Sequence, residues 1–210
     1  MNESLRVRAR AARIGIKSGA LRGSALLEVL LSVPFIERDA WVDEVFGLPE
    51  LPVDVPGLPR ESVPYLPCGV DEILAMVRDV PLRAEDELVD LGSGLGRVLM
   101  LAHVISGSAC KGFEIQEPLV LDARARSEDL CLSNISFVLA DATEADLDGT
   151  VFFLYAPFSG EMLRRAIKRI QTVAARHPIV VCTVGLELND VTWLVARRSN
   201  TVTLTVYDSR

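Results

Sequence analysis

Glu87-Leu88-Val89-Asp90-Leu91-Gly92-Ser93-Gly94-Leu95-Gly96-Arg97 is the stretch on which the reading of this chain turns. Five residues of strand character run into three glycines at alternate positions, and a helical pattern begins directly afterwards. Glycine is needed where a backbone must turn sharply and let a ligand approach with no Cβ in the way. The helix start beyond it offers unpaired amides to an anion. These features place a nucleotide or carboxylate ligand at the first strand-to-helix turn.

Outward from that turn the pattern alternates. A helix is expected around Val70, Ile73, Leu74 and Val77, and the strand Glu87–Asp90 ends at Gly92. Helix 96–106, strand Cys110–Glu114, helix 117–131 and strand 135–139 follow, then strand Val151–Tyr155, a helix marked by Met162, Ala166, Ile170 and Val173, and strand Ile179–Val184. Such alternation implies βαβ units and a mainly parallel sheet covered on both faces. The last two β-rich runs, 191–197 and 201–207, with a turn near Asn200, read as an antiparallel hairpin.

Before this body lie two other regions. Residues 1–46 form a helical extension whose Leu5, Ala9, Ala12 and Ile16 make one apolar stripe, with Arg6, Arg10, Arg13 and Lys17 beside it. That basic amphipathic helix suits either a partner or membrane surface, or packing on the body's own acidic surface. Residues 47–68 hold six of the eleven prolines and should run as an extended, semi-rigid connector or lid. The body is then 69–210.

Glycine spacing narrows the ligand. The dinucleotide pattern G-x-G-x-x-G needs glycine at 97, where Arg97 stands, and no G-K-[ST] follows for a phosphate-binding loop. What stands here is D-x-G-x-G-x-G through Asp90, Gly92, Gly94 and Gly96, which resembles the first motif of class I S-adenosylmethionine-dependent methyltransferases. The resemblance implies a Rossmann-like seven-stranded methyltransferase sheet with S-adenosyl-L-methionine as cofactor, held at Asp90, Gly92, Ser93, Gly94 and Gly96. It further implies that Glu114, ending the second strand, takes the ribose hydroxyls, and that Asp141, after the third, lies near the adenine amino group. Tyr65-Leu66-Pro67-Cys68 is similar to the Y-x-P-[ST] segment of non-SET histone lysine methyltransferases and of the small lysine methyltransferases acting on an ATP synthase subunit. It adds Tyr65 and Pro67 to the cofactor site. Gly112-Phe113-Glu114-Ile115-Gln116-Glu117 resembles that branch's G-x-E-x-x-E. Cys68 departs from the branch's Thr or Ser, and the similarity covers about residues 62–160.

The loop after the fourth strand is Tyr155-Ala156-Pro157-Phe158, where many amine methyltransferases carry [NDS]-P-P-[YF]. The polar first residue is absent. Tyr155 and Phe158 are the candidate catalytic residues, one orienting the acceptor through its hydroxyl and the other walling the transferring methyl. Three functions stay open: methylation of a protein lysine or other amine, methylation of a small metabolite, and an inactive cofactor-binding scaffold.

Composition bounds the partners. The 210 residues carry a formal charge of -7, and half are apolar. Residues 1–23 hold six bases and one acid, so the remaining 187 sum to -12. An acidic body repels phosphate backbones, which makes nucleic acid a poor partner for it. No run of about 18 apolar residues exists to span a bilayer. Four scattered cysteines without a C-x-x-C pair suit reduced thiols in a cytoplasmic protein. His103 and His177 have no second ligand at metal-binding spacing, so no metal is expected.

Overall fold

The computed structural model describes residues 1–197 and 203–210. Its helices and strands are α1 (Glu3–Lys17), α2 (Gly23–Leu31), α3 (Arg38–Phe46), α4 (Val70–Asp79), β1 (Glu87–Leu91), α5 (Arg97–Ser106), β2 (Ala109–Glu114), α6 (Glu117–Asp129), β3 (Ile135–Leu139), β4 (Val151–Tyr155), α7 (Gly160–Ala174), β5 (Val180–Val184), β6 (Leu194–Ala196) and β7 (Leu204–Ser209). The strands form one sheet in the order β3-β2-β1-β4-β5-β7-β6. The first five pair in parallel, while β7 runs antiparallel to both β5 and β6. This is the expected fold class, including the antiparallel C-terminal pair. The turn expected at Asn200 lies outside the described residues.

The strand order reverses between β1 and β4, and ligands in open α/β sheets bind at the carboxyl ends flanking such a switch point. β1 is buried along Leu88–Leu91, as a central parallel strand covered on both faces must be. α6 stops two residues before the expected 131 because Cys131 takes a positive φ of 54°. Helix 96–106 begins one residue later than expected, since Gly96 is its N-cap at φ 79°.

The N-terminal region is broken where its sequence turns polar or carries Gly and Pro, at 18–22 and 32–34. Leu5, Ala9, Ala12 and Ile16 of α1 are buried in the same apolar core as Trp41 and Phe46 of α3 and Leu99 of α5. Of the two expectations for α1, packing on the body is the one found. Arg13 and Lys17 pair with Asp129 on α6, Arg10 pairs with Glu44, and Arg13 also donates to the Val45 carbonyl at 2.7 Å. A cation on a carbonyl near a helix C-terminus is favourable for the helix dipole as well. Among the described residues no helix is long and apolar enough to cross a membrane.

Candidate functional site

The site starts from the turn after β1. Gly92, Gly94 and Gly96 have φ of 86°, 51° and 79°, a region L side chains enter only at a cost. Gly92 and Ser93 donate to the Phe113 carbonyl at 2.8 and 3.0 Å, which folds the turn back over β2. Glu114 then props the turn from beneath. Its Oε2 accepts from the Gly94 amide at 2.9 Å, and its Oε1 accepts from Ile115 and Gln116 at 2.8 and 2.9 Å. A carboxylate has about four acceptor positions, so one stays open toward a ligand.

That opening faces a cavity of about 260 Å³ lined by six of the eleven expected site residues: Tyr65, Gly92, Glu114, Asp141, Tyr155 and Phe158. Pro67, Asp90 and Ser93 instead border a neighbouring hollow of about 20 Å³, room for one water-sized group, which Tyr65 and Tyr155 also line. Gly94 and Gly96 stand behind the site. A Cβ on Gly94 would enter the Tyr65 ring, and one on Gly96 would enter the Phe137 ring. Gly94 therefore makes the seat for Tyr65 rather than touching the main cavity, a different reason for glycine from the one its motif suggests.

Electrostatics at this end of the sheet are anionic. Asp90 is buried and burial pushes its carboxyl up to about 8, with nearby Glu114 adding to the shift. Burial likewise lifts the Tyr65 hydroxyl to about 12 and raises that of Tyr155, so both are neutral hydroxyls near pH 7. The thiol of Cys68, the residue that departs from Y-x-P-[ST], is pushed up by burial and stays protonated; its Sγ lies 3.7 Å from the Gly69 carbonyl. Asp141 accepts from the Thr143 amide at 2.8 Å, which fixes its carboxylate at the cavity edge. No Lys, Arg or His lines the main cavity.

Two elements that sequence reasoning missed hold this arrangement. Arg97, buried at 7% exposure, forks onto Asp43 of α3 at 2.6 Å and onto the Cys68 carbonyl at 3.0 Å. It thereby ties the N-terminal helices and the Tyr65–Cys68 loop to the start of α5. Its occupation of the position where a dinucleotide motif carries glycine was the available signal. The second is the connector. Asp54 accepts from the Tyr65 amide at 2.9 Å and from the Gln116 side chain at 2.7 Å, while Gln116 accepts from Val55 at 2.9 Å. Further along, Val63 donates to the Pro157 carbonyl at 3.0 Å, and the Glu61 carboxylate caps α7 at the Met162 amide, 2.8 Å. The Met162 amide and its neighbour at Glu161 hold the Glu61 carboxyl below its ordinary range.

Chemically, the cavity offers the open acceptor position of Glu114, the Asp141 carboxylate at its edge, apolar walls at Phe158 and Met162, and small residues at Ala140 and Ala142. A buried Ser93 hydroxyl without a partner sits beside Asp90 at the inner end. The donor set fits an elongated ligand carrying a ribose and a cationic centre.

No protein-family model matches the chain, and no curated protein matches its sequence. Solved structures do match. An RNA methyltransferase from Salinibacter ruber in complex with S-adenosyl-L-homocysteine superposes with a TM-score of 0.55 at 24% identity, over 69% of this chain and 92% of that one. The PH0226 protein from Pyrococcus horikoshii OT3 gives 0.55 at 15% identity, over 67% and 90%. The magnesium protoporphyrin IX methyltransferase of Synechocystis PCC 6803, with bound SAM, gives 0.51 at 14% identity, over 66% and 76%. At these identities the likeness is one of fold: the chain shares the seven-stranded Rossmann-like sheet of those structures, two of which are methyltransferases.

Proposed function

We propose that this protein is an S-adenosylmethionine-dependent methyltransferase that acts on an amine, with a protein lysine as the favoured acceptor. The observation that carries the reading is the lining of the main cavity, which sets Glu114 and Asp141 at the ends of β2 and β3 and, among the described residues, contains no cationic side chain. A sulfonium donor and an amine acceptor both suit such a lining, whereas a phosphate-bearing acceptor does not. The fold shared with solved methyltransferases supports the same donor.

Bound there, S-adenosylmethionine would supply an activated methyl group for transfer to the lone pair of the acceptor nitrogen. The chain's own work is positioning and exclusion of water. Glu114 orients the ribose, Asp141 the base, and Tyr65 and Pro67 close the inner end. Tyr155 and Phe158 flank the transfer point, the first by a neutral hydroxyl able to accept from the amine, the second as an apolar wall. A lysine must arrive uncharged, against an ordinary pKa of about 10.4. Burial between the connector and the Tyr155–Phe158 loop disfavours the ammonium, and its proton leaves to solvent as the side chain enters.

Purified protein incubated with methyl-labelled S-adenosylmethionine and cell lysate should label a protein band. Label confined to small molecules removes the protein-lysine reading and leaves the second one, a small-metabolite acceptor, which Tyr155 in place of Asn, Asp or Ser at the start of the Tyr155–Phe158 loop favours. Turnover with any acceptor removes the inactive scaffold.

A further inference from the structure

The connector exposes apolar side chains that it has no means of hiding. Val53 is 94% exposed, Leu51 67%, Leu66 57% and Val63 47%. A loose linker would fold such groups away, but this one is pinned at Asp54, Val55, Glu61 and Val63 by the hydrogen bonds to Gln116, Pro157 and Met162 described above. Large apolar side chains held exposed on a pinned segment are the kind of surface that an interaction covers.

Its surroundings select the partner. The face lies between the main cavity, walled by Leu58, Val63 and Leu66, and a second hollow of about 420 Å³ to which Leu51, Glu50 and Asp43 contribute. Among the described residues the linings of the two hollows contain Asp43, Glu50, Glu114 and Asp141 against one cation, Arg97, which pairs with Asp43 and leaves Glu50, Glu114 and Asp141 in excess, while the connector itself adds Asp54 and Glu61 against Arg60. A phosphate backbone is repelled here and a cationic side chain is attracted. A small metabolite seated in the main cavity has no use for Val53, which lies outside both hollows.

We propose that the Leu51–Leu66 face is the seat of a basic, apolar polypeptide segment, the part of a protein acceptor that flanks its methylated amine. This deepens the amine reading and rests on it. The test is direct binding, followed by fluorescence anisotropy, of three short labelled probes: a peptide whose central lysine is flanked by Val, Leu and Arg, the same peptide with Glu in place of Arg, and a single-stranded RNA. The Arg-flanked peptide should bind roughly tenfold tighter or better than the Glu-flanked one, a preference set by charge across the interface. The double variant Leu51→Ser, Val53→Ser should lose about as much affinity for it while its affinity for S-adenosylmethionine stays at the wild-type value. Equal binding of the two peptides, no peptide binding, preferential RNA binding, or wild-type peptide affinity in the variant each overturns the proposal. Because the readout is binding, failure here with a labelled protein band intact leaves the amine reading standing. A seated peptide with no transfer to any amine removes that reading instead.

Discussion

After β1 the chain turns through Gly92, Gly94 and Gly96, all at positive φ; after β4, the neighbouring strand, it turns through Ala156, also at positive φ, 36°. Left-handed backbone costs glycine nothing steric and costs an L residue about 1–2 kcal/mol. The first turn is held by residues within the same βαβ unit, the Phe113 carbonyl and the Glu114 carboxylate. The second is held from outside, by Val63 on Pro157 and by the Glu61 carbonyl on the Ser159 amide at 2.9 Å, both from a connector far earlier in the chain. One turn is self-built and unstrained, the other strained and imposed. The glycine turn is thus built within its own βαβ unit, while the loop after β4 depends on the connector staying in place.

The comparison breaks most completely if a side chain is put into the self-built turn. Gly94→Val would drive Cβ into the Tyr65 ring and add left-handed strain, so Tyr65 must leave and take the inner wall of the site with it. Cofactor affinity should fall beyond calorimetric detection while far-ultraviolet circular dichroism keeps its wild-type shape. Wild-type affinity would mean that the turn is not the cofactor seat. Next in size is Glu114→Ala, which removes the acceptor of three backbone amides and, with it, the proposed ribose contact. Charge-assisted hydrogen bonds contribute about 1.5–3 kcal/mol each, so loss of one ligand bond alone weakens binding by roughly 10- to 150-fold. Isothermal titration would show this, and a change of less than about threefold would place the ribose elsewhere.

How far the site could be read in advance follows the same division. Asp90, the three glycines, Glu114 and Asp141 all lie at the ends of β1, β2 and β3, where local pattern and order along the chain are sufficient. Strand β4 and its loop were equally visible as sequence, and Tyr155 and Phe158 do line the cavity. What could not be read was the support for that loop, because the pairing of Glu61 and Val63 with Ser159 and Pro157 joins segments almost a hundred residues apart and has no periodicity. The same holds for Arg97 and Asp43. Each looks like an ordinary surface charge until α3 is packed against α5, and only then does burial force the pair together. Burial still raises the Asp43 carboxyl above its usual range, with Arg97 pulling the other way.

Asp90 sharpens the contrast, since it stands under the unstrained turn yet carries that turn's hidden cost. Its carboxyl is buried, and the neighbouring Glu114 carboxylate pushes it the same way as burial does. With a folded pKa of about 8 against about 3.9 in an unfolded chain, folding favours the protonated form. The contribution is present in full below about pH 4 and is lost as the pH rises through 8. Asp90→Asn should therefore melt higher than wild type at pH 9 by several degrees and lose less stability between pH 5 and 9. Parallel melting profiles for the two proteins would show that Asp90 is ionised in the fold throughout.

The smallest effect comes from the strained turn itself. Ala156→Gly relieves about 1–2 kcal/mol of left-handed strain but frees the unfolded chain by about 0.4–1 kcal/mol, so relief wins by a fraction of a kcal/mol to about 1. For a domain of this size that is a rise in Tm of roughly 1–4 °C. Cofactor affinity should stay put, because the Gly92–Gly96 turn takes no hydrogen bond from Ala156. Acceptor turnover should fall as the loop gains freedom and Tyr155 and Phe158 lose their fixed separation. A lower Tm in differential scanning calorimetry would mean that Ala156 is not strained, and the difference between the two turns would then lie only in what holds them.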